Sequence, residues 1–155
     1  MAKLISHGPV AQNRKARHNY AIEDTLEAGI MLTGSEVKSL RLGRCTLVEA
    51  FAEPRDGELF LINAHIPRYE GASHFQHEEN RKRKLLLHRK EIDRLMAAVQ
   101  RKGMTVVPLS LYFNDRGRAK VQLGLAKGKN AIDRRDDIKK REWQREQARL
   151  MRAKG

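Results

Sequence analysis

The stretch Val106-Val-Pro-Leu-Ser-Leu-Tyr-Phe-Asn-Asp-Arg-Gly-Arg-Ala-Lys-Val-Gln-Leu-Gly-Leu125 decides the fold. Apolar side chains stand at alternate positions on the way out (Val107, Leu109, Leu111, Phe113) and on the way back (Ala119, Val121, Leu123, Leu125). Asn114-Asp-Arg-Gly117 lies between them, a run of turn-forming residues. A period of two sends successive side chains to opposite faces, so this is a β-hairpin with one apolar face. Its other face shows Arg118, Lys120 and Gln122 and is wet and basic. Pro108 has no N–H to give a ladder and marks an edge or a bulge.

Working outward, residues 20–34 carry Tyr20, Ile22, Leu26, Ala28, Ile30 and Leu32 on alternate positions. Asp24 interrupts that face and predicts a bend or two shorter strands. Thr33 precedes Glu36 by three, the spacing of a capping box, and Val37 with Leu40 marks the inner side of a short helix ended by Gly43. Asp56-Gly57 is a hairpin signal, with strands expected over Leu47 to Glu53 and Glu58 to Ile66. Residues 67–80 read as a long loop, and Leu85-Leu-Leu87 closes a strand that begins in a basic run. A helix follows, with Ile92, Leu95, Met96 and Val99 on one face and Gly103 as its stop. About six strands with two inserted helices, within residues 13–126, fit an OB-like antiparallel β-barrel, mainly β with short helices. The expected organisation is a flexible arm over 1–12, the barrel over 13–130 and a basic tail over 131–155.

The 155 residues carry 32 Lys and Arg against 19 Asp and Glu, a net charge of +13. Such an excess on one small domain points to a polyanion. One cysteine, Cys45, excludes an intramolecular disulfide scaffold. The longest apolar run, Leu59 to Ile62, is far too short to cross a bilayer. The N-terminal residues carry no apolar targeting stretch, which makes the cytoplasm the expected location. The eight aromatic residues are few for stacking a single strand base by base, so contact through phosphates and shape on a folded RNA is favoured.

The charge is clustered. Lys3, Arg14, Lys15 and Arg17 stand in residues 1–20 without an acid, and Arg81, Lys82, Arg83, Lys84, Arg89 and Lys90 do the same in residues 81–90. Any one run reads equally well as a solvated face, but three separated runs point to a binding surface built from several segments. The third run, from Lys127 onward, has sparse apolar residues. It has helix-favouring pairs instead, Asp136–Lys140, Asp137–Arg141, Glu142–Arg145 and Glu146–Arg149. Each pair contributes about 0.2–0.5 kcal/mol, against roughly 1–2 kcal/mol to order one residue. The tail is therefore expected to be disordered when free and to fold on a polyanionic surface.

Signs of catalysis are weak. His74 and His77 are three apart but lack the cysteine or carboxylate partners of a zinc site. Gly124 to Asn130 lacks the Walker spacing and its Ser or Thr. Cys45 has no sequence feature that pairs it with a base, and Glu78-Glu79 and Asp136-Asp137 sit in charged surroundings. No enzyme, cofactor or metal is expected.

Seven motifs occur in order: Asn13-Arg-Lys-Ala-Arg-His-Asn-Tyr20, Gly34-Ser-Glu-Val-Lys-Ser-Leu-Arg41, Arg83-Lys-Leu-Leu-Leu87, Val106-Val-Pro-Leu-Ser-Leu-Tyr-Phe113, Ala126-Lys-Gly-Lys129, Asp133-Arg-Arg135 and Arg141-Glu-Trp143. Together they resemble the SsrA-binding protein family (small protein B, SmpB), from about residue 5 to the C-terminus. The resemblance implies an OB-like barrel that grips the tRNA-like domain of transfer-messenger RNA (tmRNA) and stands where an anticodon arm would be. It implies delivery, with elongation factor Tu, to the vacant A site of a stalled bacterial ribosome, where translation resumes on the RNA's own reading frame. No membrane or DNA partner is implied.

The resemblance also implies the site. Asn13, Arg14, Arg17 and Tyr20 fall in the family's N-terminal RNA-contacting motif, and Glu27 matches an acidic position implicated in RNA binding. Lys38, Arg83, Lys84, Leu86, His88, Lys127 and Lys129 complete the expected RNA contacts. Arg and Lys suit phosphates, while Asn13, Tyr20 and Glu27 suit bases or 2′-hydroxyls. For Tyr20, core packing with the hydroxyl at the rim reads equally well. In the tail, Ile132, Asp133, Arg134, Arg135, Ile138, Lys139, Lys140, Arg141, Trp143, Leu150 and Met151 are the expected contacts with the decoding centre and empty mRNA channel. Two positions depart from the family pattern. Ile132 stands where relatives often carry a His or an aromatic, and Ile offers neither a π-face nor a donor. His88 stands where some relatives have Asn. A general OB-type ribosomal or RNA-chaperone protein is the alternative, and a metal-dependent nuclease a more distant one.

Overall fold

The computed structural model describes residues 4–70, 76–101, 103–128 and 141–151. Seven strands and three helices follow one another up to residue 128: β1 (Gly8–Gln12), α1 (Arg14–Asn19), β2 (Tyr20–Ile30), α2 (Gly34–Arg41), β3 (Phe51–Arg55), β4 (Glu58–Ile62), β5 (Arg83–Leu86), α3 (Arg89–Val99), β6 (Met104–Phe113) and β7 (Ala119–Gly128). The strand order is β1-β6-β3-β4-β5-β2-β7, and β7 returns to pair with β6. Six strands thus close on themselves, and every pairing is antiparallel. This is the barrel-like, mainly β architecture that the alternating patterns predict.

Local chemistry explains the corners. Thr33 Oγ1 accepts from the Glu36 N–H at 3.4 Å and Glu36 Oε1 accepts from the Thr33 N–H at 2.8 Å, the complete capping box. Asp56 and Gly57 both have positive φ (50° and 80°), the demand of the tight hairpin turn between β3 and β4. In the β6–β7 turn, Asn114 Oδ1 accepts from the N–H groups of Arg116 and Arg118.

The core is continuous across elements. Ala28, Ile30, Leu59, Leu61, Leu85, Val106, Leu111, Phe113, Val121 and Leu123 of the strands pack with Leu40 of α2 and Ile92, Leu95 and Ala98 of α3. A smaller cluster of Ala16, Val107, Leu109 and Ala126 packs with Tyr20 and Ile22. The two clusters correct the simple reading of the hairpin. Val107 and Leu109 do not share the interior of Leu111 and Phe113, because a register shift between Pro108 and Ser110 exchanges the faces of β6. The bulge that Pro108 foretold performs the exchange. A second shift between Ile22 and Asp24 does the same to β2. Tyr20 and Ile22 therefore serve the small cluster, and Leu26, Ala28 and Ile30 the large one.

Other boundaries also move. Residues 8–12, expected in a flexible arm, form β1 on the edge of β6, and residues 14–19 add the short helix α1. β3 begins at Phe51 rather than Leu47, since residues 47–50 make a turn with Ala50 N–H donating to the Leu47 carbonyl at 3.0 Å.

Candidate nucleic-acid interface

The N-terminal motif is organised by a residue that does not reach the surface. Asn13 is buried, its side-chain amide donates to the Leu47 and Pro108 carbonyls at 3.0 Å each, and its Oδ1 accepts from the Ala16 N–H at 3.1 Å. Both amide donors are spent inside the protein. The expected RNA contact at Asn13 is thus corrected: it caps α1 and bolts that helix to β6. With Ala16 turned inward, Arg14, Lys15, Arg17 and His18 are exposed along the outside of α1. Tyr20 is half-buried against the small cluster and Gly128, so its ring takes the packing role. Lys127 is exposed and registers opposite Ala21, which brings it beside the end of α1. A cleft of about 370 Å³, lined among others by Lys15, Asn19, Tyr20, Glu49 and Asn63, opens next to this cationic group.

A second group crosses the outer face of the ring. Cross-strand register aligns Leu86 of β5, Gly29 of β2, Lys120 of β7 and Tyr112 of β6 in one row. Glu27, Gln122 and Ser110 form the next row. Leu86 is 48% exposed and lies against Gly29, where an added Cβ would approach Leu86 Cβ to 3.1 Å. Glu27 is exposed, and its Oε2 accepts a hydrogen bond from the Tyr112 hydroxyl. Burial, with that hydrogen bond and the Glu27 charge, raises the Tyr112 phenol well above its ordinary range. Tyr112 is absent from the sequence-derived site. A signal for it existed, an aromatic on the wet side of the hairpin, but its pairing across 85 positions did not.

The Arg83 expectation is overturned. Arg83 is wholly buried: its Nε donates to Glu36 Oε2, and its guanidinium also donates to the Ala64 and Arg81 carbonyls at 2.7 and 3.0 Å. Arg81 Nη2 reaches the other Glu36 oxygen at 2.6 Å. Burial opposes ionisation of Glu36, yet hydrogen bonds from Arg81 and the Thr33 N–H, with the Arg83 charge, hold its carboxyl below the ordinary value. This cation ties β5 to α2 and cannot meet a phosphate. The strand pattern signalled it, since Arg83 and Leu85 share one face of β5 and both are buried.

The remaining expected residues that the structure describes are accessible. Lys84 is half-buried with its Nζ 4.0 Å from Glu58, and His88 is exposed where its N–H begins α3 by donating to Glu91. Lys38 is exposed on α2, 5.5 Å from the centre of the Tyr69 ring, at cation–π distance. Lys129, Ile132, Asp133, Arg134, Arg135, Ile138, Lys139 and Lys140 lie outside the described residues, as does His74. Residues 141–151 are helical and every one is exposed, Arg141, Trp143, Leu150 and Met151 included.

His77 and Cys45 are both engaged in the fold. His77 is buried between the Ser35 hydroxyl (2.9 Å) and the Ile66 carbonyl (2.8 Å), and the carbonyl can only accept, so Nε2 carries a proton. Burial pushes the Cys45 thiol up to about 12, the opposite of an activated nucleophile. Among the described residues no three His, Cys, Asp or Glu side chains gather to hold a metal.

The SmpB protein family matches residues 10–153 of this chain. The chain belongs to that family. It is 64% identical over 146 residues to an SsrA-binding protein of Rhodopseudomonas palustris (strain BisB18), covering 94% of this chain and 93% of that one. Against the SsrA-binding protein of Bradyrhizobium sp. (strain BTAi1 / ATCC BAA-1182) it is 63% identical over 145 residues, 94% of this chain and 92% of the relative. A solved chain from the work "tmRNA-SmpB: a journey to the center of the bacterial ribosome" superposes with a TM-score of 0.67 and 55% identity. It covers 80% of this chain and 87% of that one. SmpB family membership therefore extends across the ring, the cationic α1 and the exposed helical segment alike.

Proposed function

We propose that this chain is a non-enzymatic adaptor of bacterial trans-translation. Its closed sheet binds the tRNA-like domain of tmRNA. The complex, with elongation factor Tu, then enters the A site of a stalled ribosome, and the tail occupies the decoding centre and the empty mRNA channel. The observation that carries this reading is the family match from residue 10 to 153, most of the chain, to relatives named SsrA-binding protein.

The physical chemistry supports it. Arg14, Arg17 and Lys127 on one side offer phosphate contacts whose strength falls with salt. Glu27 cannot favour a phosphate, and its useful RNA partners are base amino or imino groups and 2′-hydroxyls. Leu86, half-exposed beside it, offers an apolar surface to an unstacked base. Asn13 and Arg83 support the site from within. In the tail, Trp143, Leu150 and Met151 are large apolar side chains left to solvent, consistent with a surface completed by the ribosome. Residues 131–135 would approach the decoding centre, where Ile132 supplies only an apolar contact.

The test is reconstituted translation on an mRNA lacking a stop codon, with alanine-charged tmRNA and elongation factor Tu. Addition of this chain is expected to yield tagged product. Failure to tag, with the RNA bound no better than bulk tRNA, would favour a general RNA-binding protein instead.

A further inference from the structure

The Tyr112–Glu27 hydrogen bond has an unusual reach. Tyr112 lies on β6 and Glu27 on β2, and β7 runs between them. Neighbouring strands are about 4.8 Å apart, so the bond spans two strand spacings. It runs diagonally over β7, from the row of Lys120 to the row of Gln122. An ordinary cross-strand pair would use the adjacent strand. Tyr112 instead crosses a neighbour to hold one carboxylate.

The choice of donor is informative. The chain carries a net charge of +13 and Glu27 is an acid on this face, so its charge opposes the approach of any polyanion. A Lys or Arg partner would cancel that charge and occupy the carboxylate as an ion pair. A phenol holds one oxygen, leaves the full negative charge in place and leaves Oε1 open. Tyr112 is half-buried, and its hydroxyl remains a protonated donor through any working pH. A carboxylate held in this way is prepared to accept from a directional donor. It is poorly suited to a phosphate.

We propose that Tyr112 is a positioning residue of the RNA-binding face, fixing Glu27 so that Oε1 accepts a hydrogen bond from a base N–H or a ribose 2′-hydroxyl. This rests on the reading of Glu27 as an RNA contact. It adds to that reading a role for the aromatic, and assigns the pair to discrimination between RNAs rather than to bulk affinity.

The experiment is a double-mutant cycle on the full chain with Tyr112→Phe, Glu27→Gln and both. The probe is the tRNA-like domain of tmRNA, measured at several salt concentrations beside bulk tRNA. Tyr112→Phe is expected to weaken cognate binding about fivefold, the scale of one hydrogen bond. The melting temperature, the affinity for bulk tRNA and the slope of log K against log salt should stay at the parent's values, since no phosphate contact is lost. In the Glu27→Gln background the Phe substitution should add little, because the two residues act as a unit. Glu27→Gln weakening cognate binding while Tyr112→Phe does not, or fully additive losses, would overturn the role of Tyr112 alone. A silent Glu27→Gln would overturn the reading of Glu27 on which it rests. A loss in Tyr112→Phe matched by a lowered melting temperature and equal loss for bulk tRNA would reduce the pair to a structural contact.

Discussion

The ring and the C-terminal helical segment are built on opposite terms. Within the ring, apolar side chains from every strand but β1 and from α2 and α3 form one buried cluster. In residues 141–151 no side chain is buried. The 11 described helical residues are near the length at which isolated helices are marginal in water even with favourable sequences. The ring supplies its own folding energy, whereas the segment depends on what it meets. That contrast is the basis for proposing that the ring recognises the RNA and the tail acts on the ribosome.

The largest effect expected from breaking the contrast is loss of function without loss of fold. Deleting residues 131–155 should abolish tagging in reconstituted translation while leaving the melting transition of the ring in place. A parallel loss of both would mean that the tail supports the core.

Within the ring, the next largest effect lies at the buried cation. Arg83→Met strips the buried Glu36 of one partner, and breaking such a pair costs about 3–5 kcal/mol, measurable by urea denaturation. The same pair predicts a pH dependence. The folded fold holds Glu36 below its ordinary value of 4.5, so its contribution is complete above that value and drains away as pH falls towards the lower folded value. Stability of the parent chain should therefore decline below about pH 4.5, and Glu36→Gln should remove this part of the acid sensitivity.

A smaller loss is expected at the α1 cap. Asn13→Ala removes a helix cap and takes one donor each from the Leu47 and Pro108 carbonyls, at a cost of about 2 kcal/mol. RNA affinity should fall with it, because Arg14 and Arg17 depend on the orientation of α1. The smallest effect sharpens the comparison from the other side. Trp143→Ala, in a residue 60% exposed, should leave the melting temperature unchanged while it impairs tagging.

Legibility in the sequence follows the same division. The hairpin, both helix stops and the Asp56-Gly57 turn were readable because each rests on local periodicity and positive-φ chemistry. The two bulges hid the second cluster, since a one-residue shift exchanges faces without disturbing the apolar alternation. β1 is not legible in sequence because Gly8–Gln12 has a weak pattern and gains its order from pairing with β6. In the site, Arg14, Arg17, Glu27 and Lys127 are exposed. Asn13 and Arg83 are not, because a polar residue buried with all partners satisfied looks in sequence like one offered to a ligand. Tyr112 escaped because its partner is 85 residues away.

Competitive binding decides whether the ring reads the RNA without the tail. The full chain and a 1–130 truncation would each meet the tRNA-like domain of tmRNA at near-physiological salt, against excess bulk tRNA, where non-specific contacts are weak. If the ring alone reads the RNA, both bind and both resist the competitor. Loss of most cognate affinity on truncation, or displacement by bulk tRNA as effective as by the cognate domain, would contradict it.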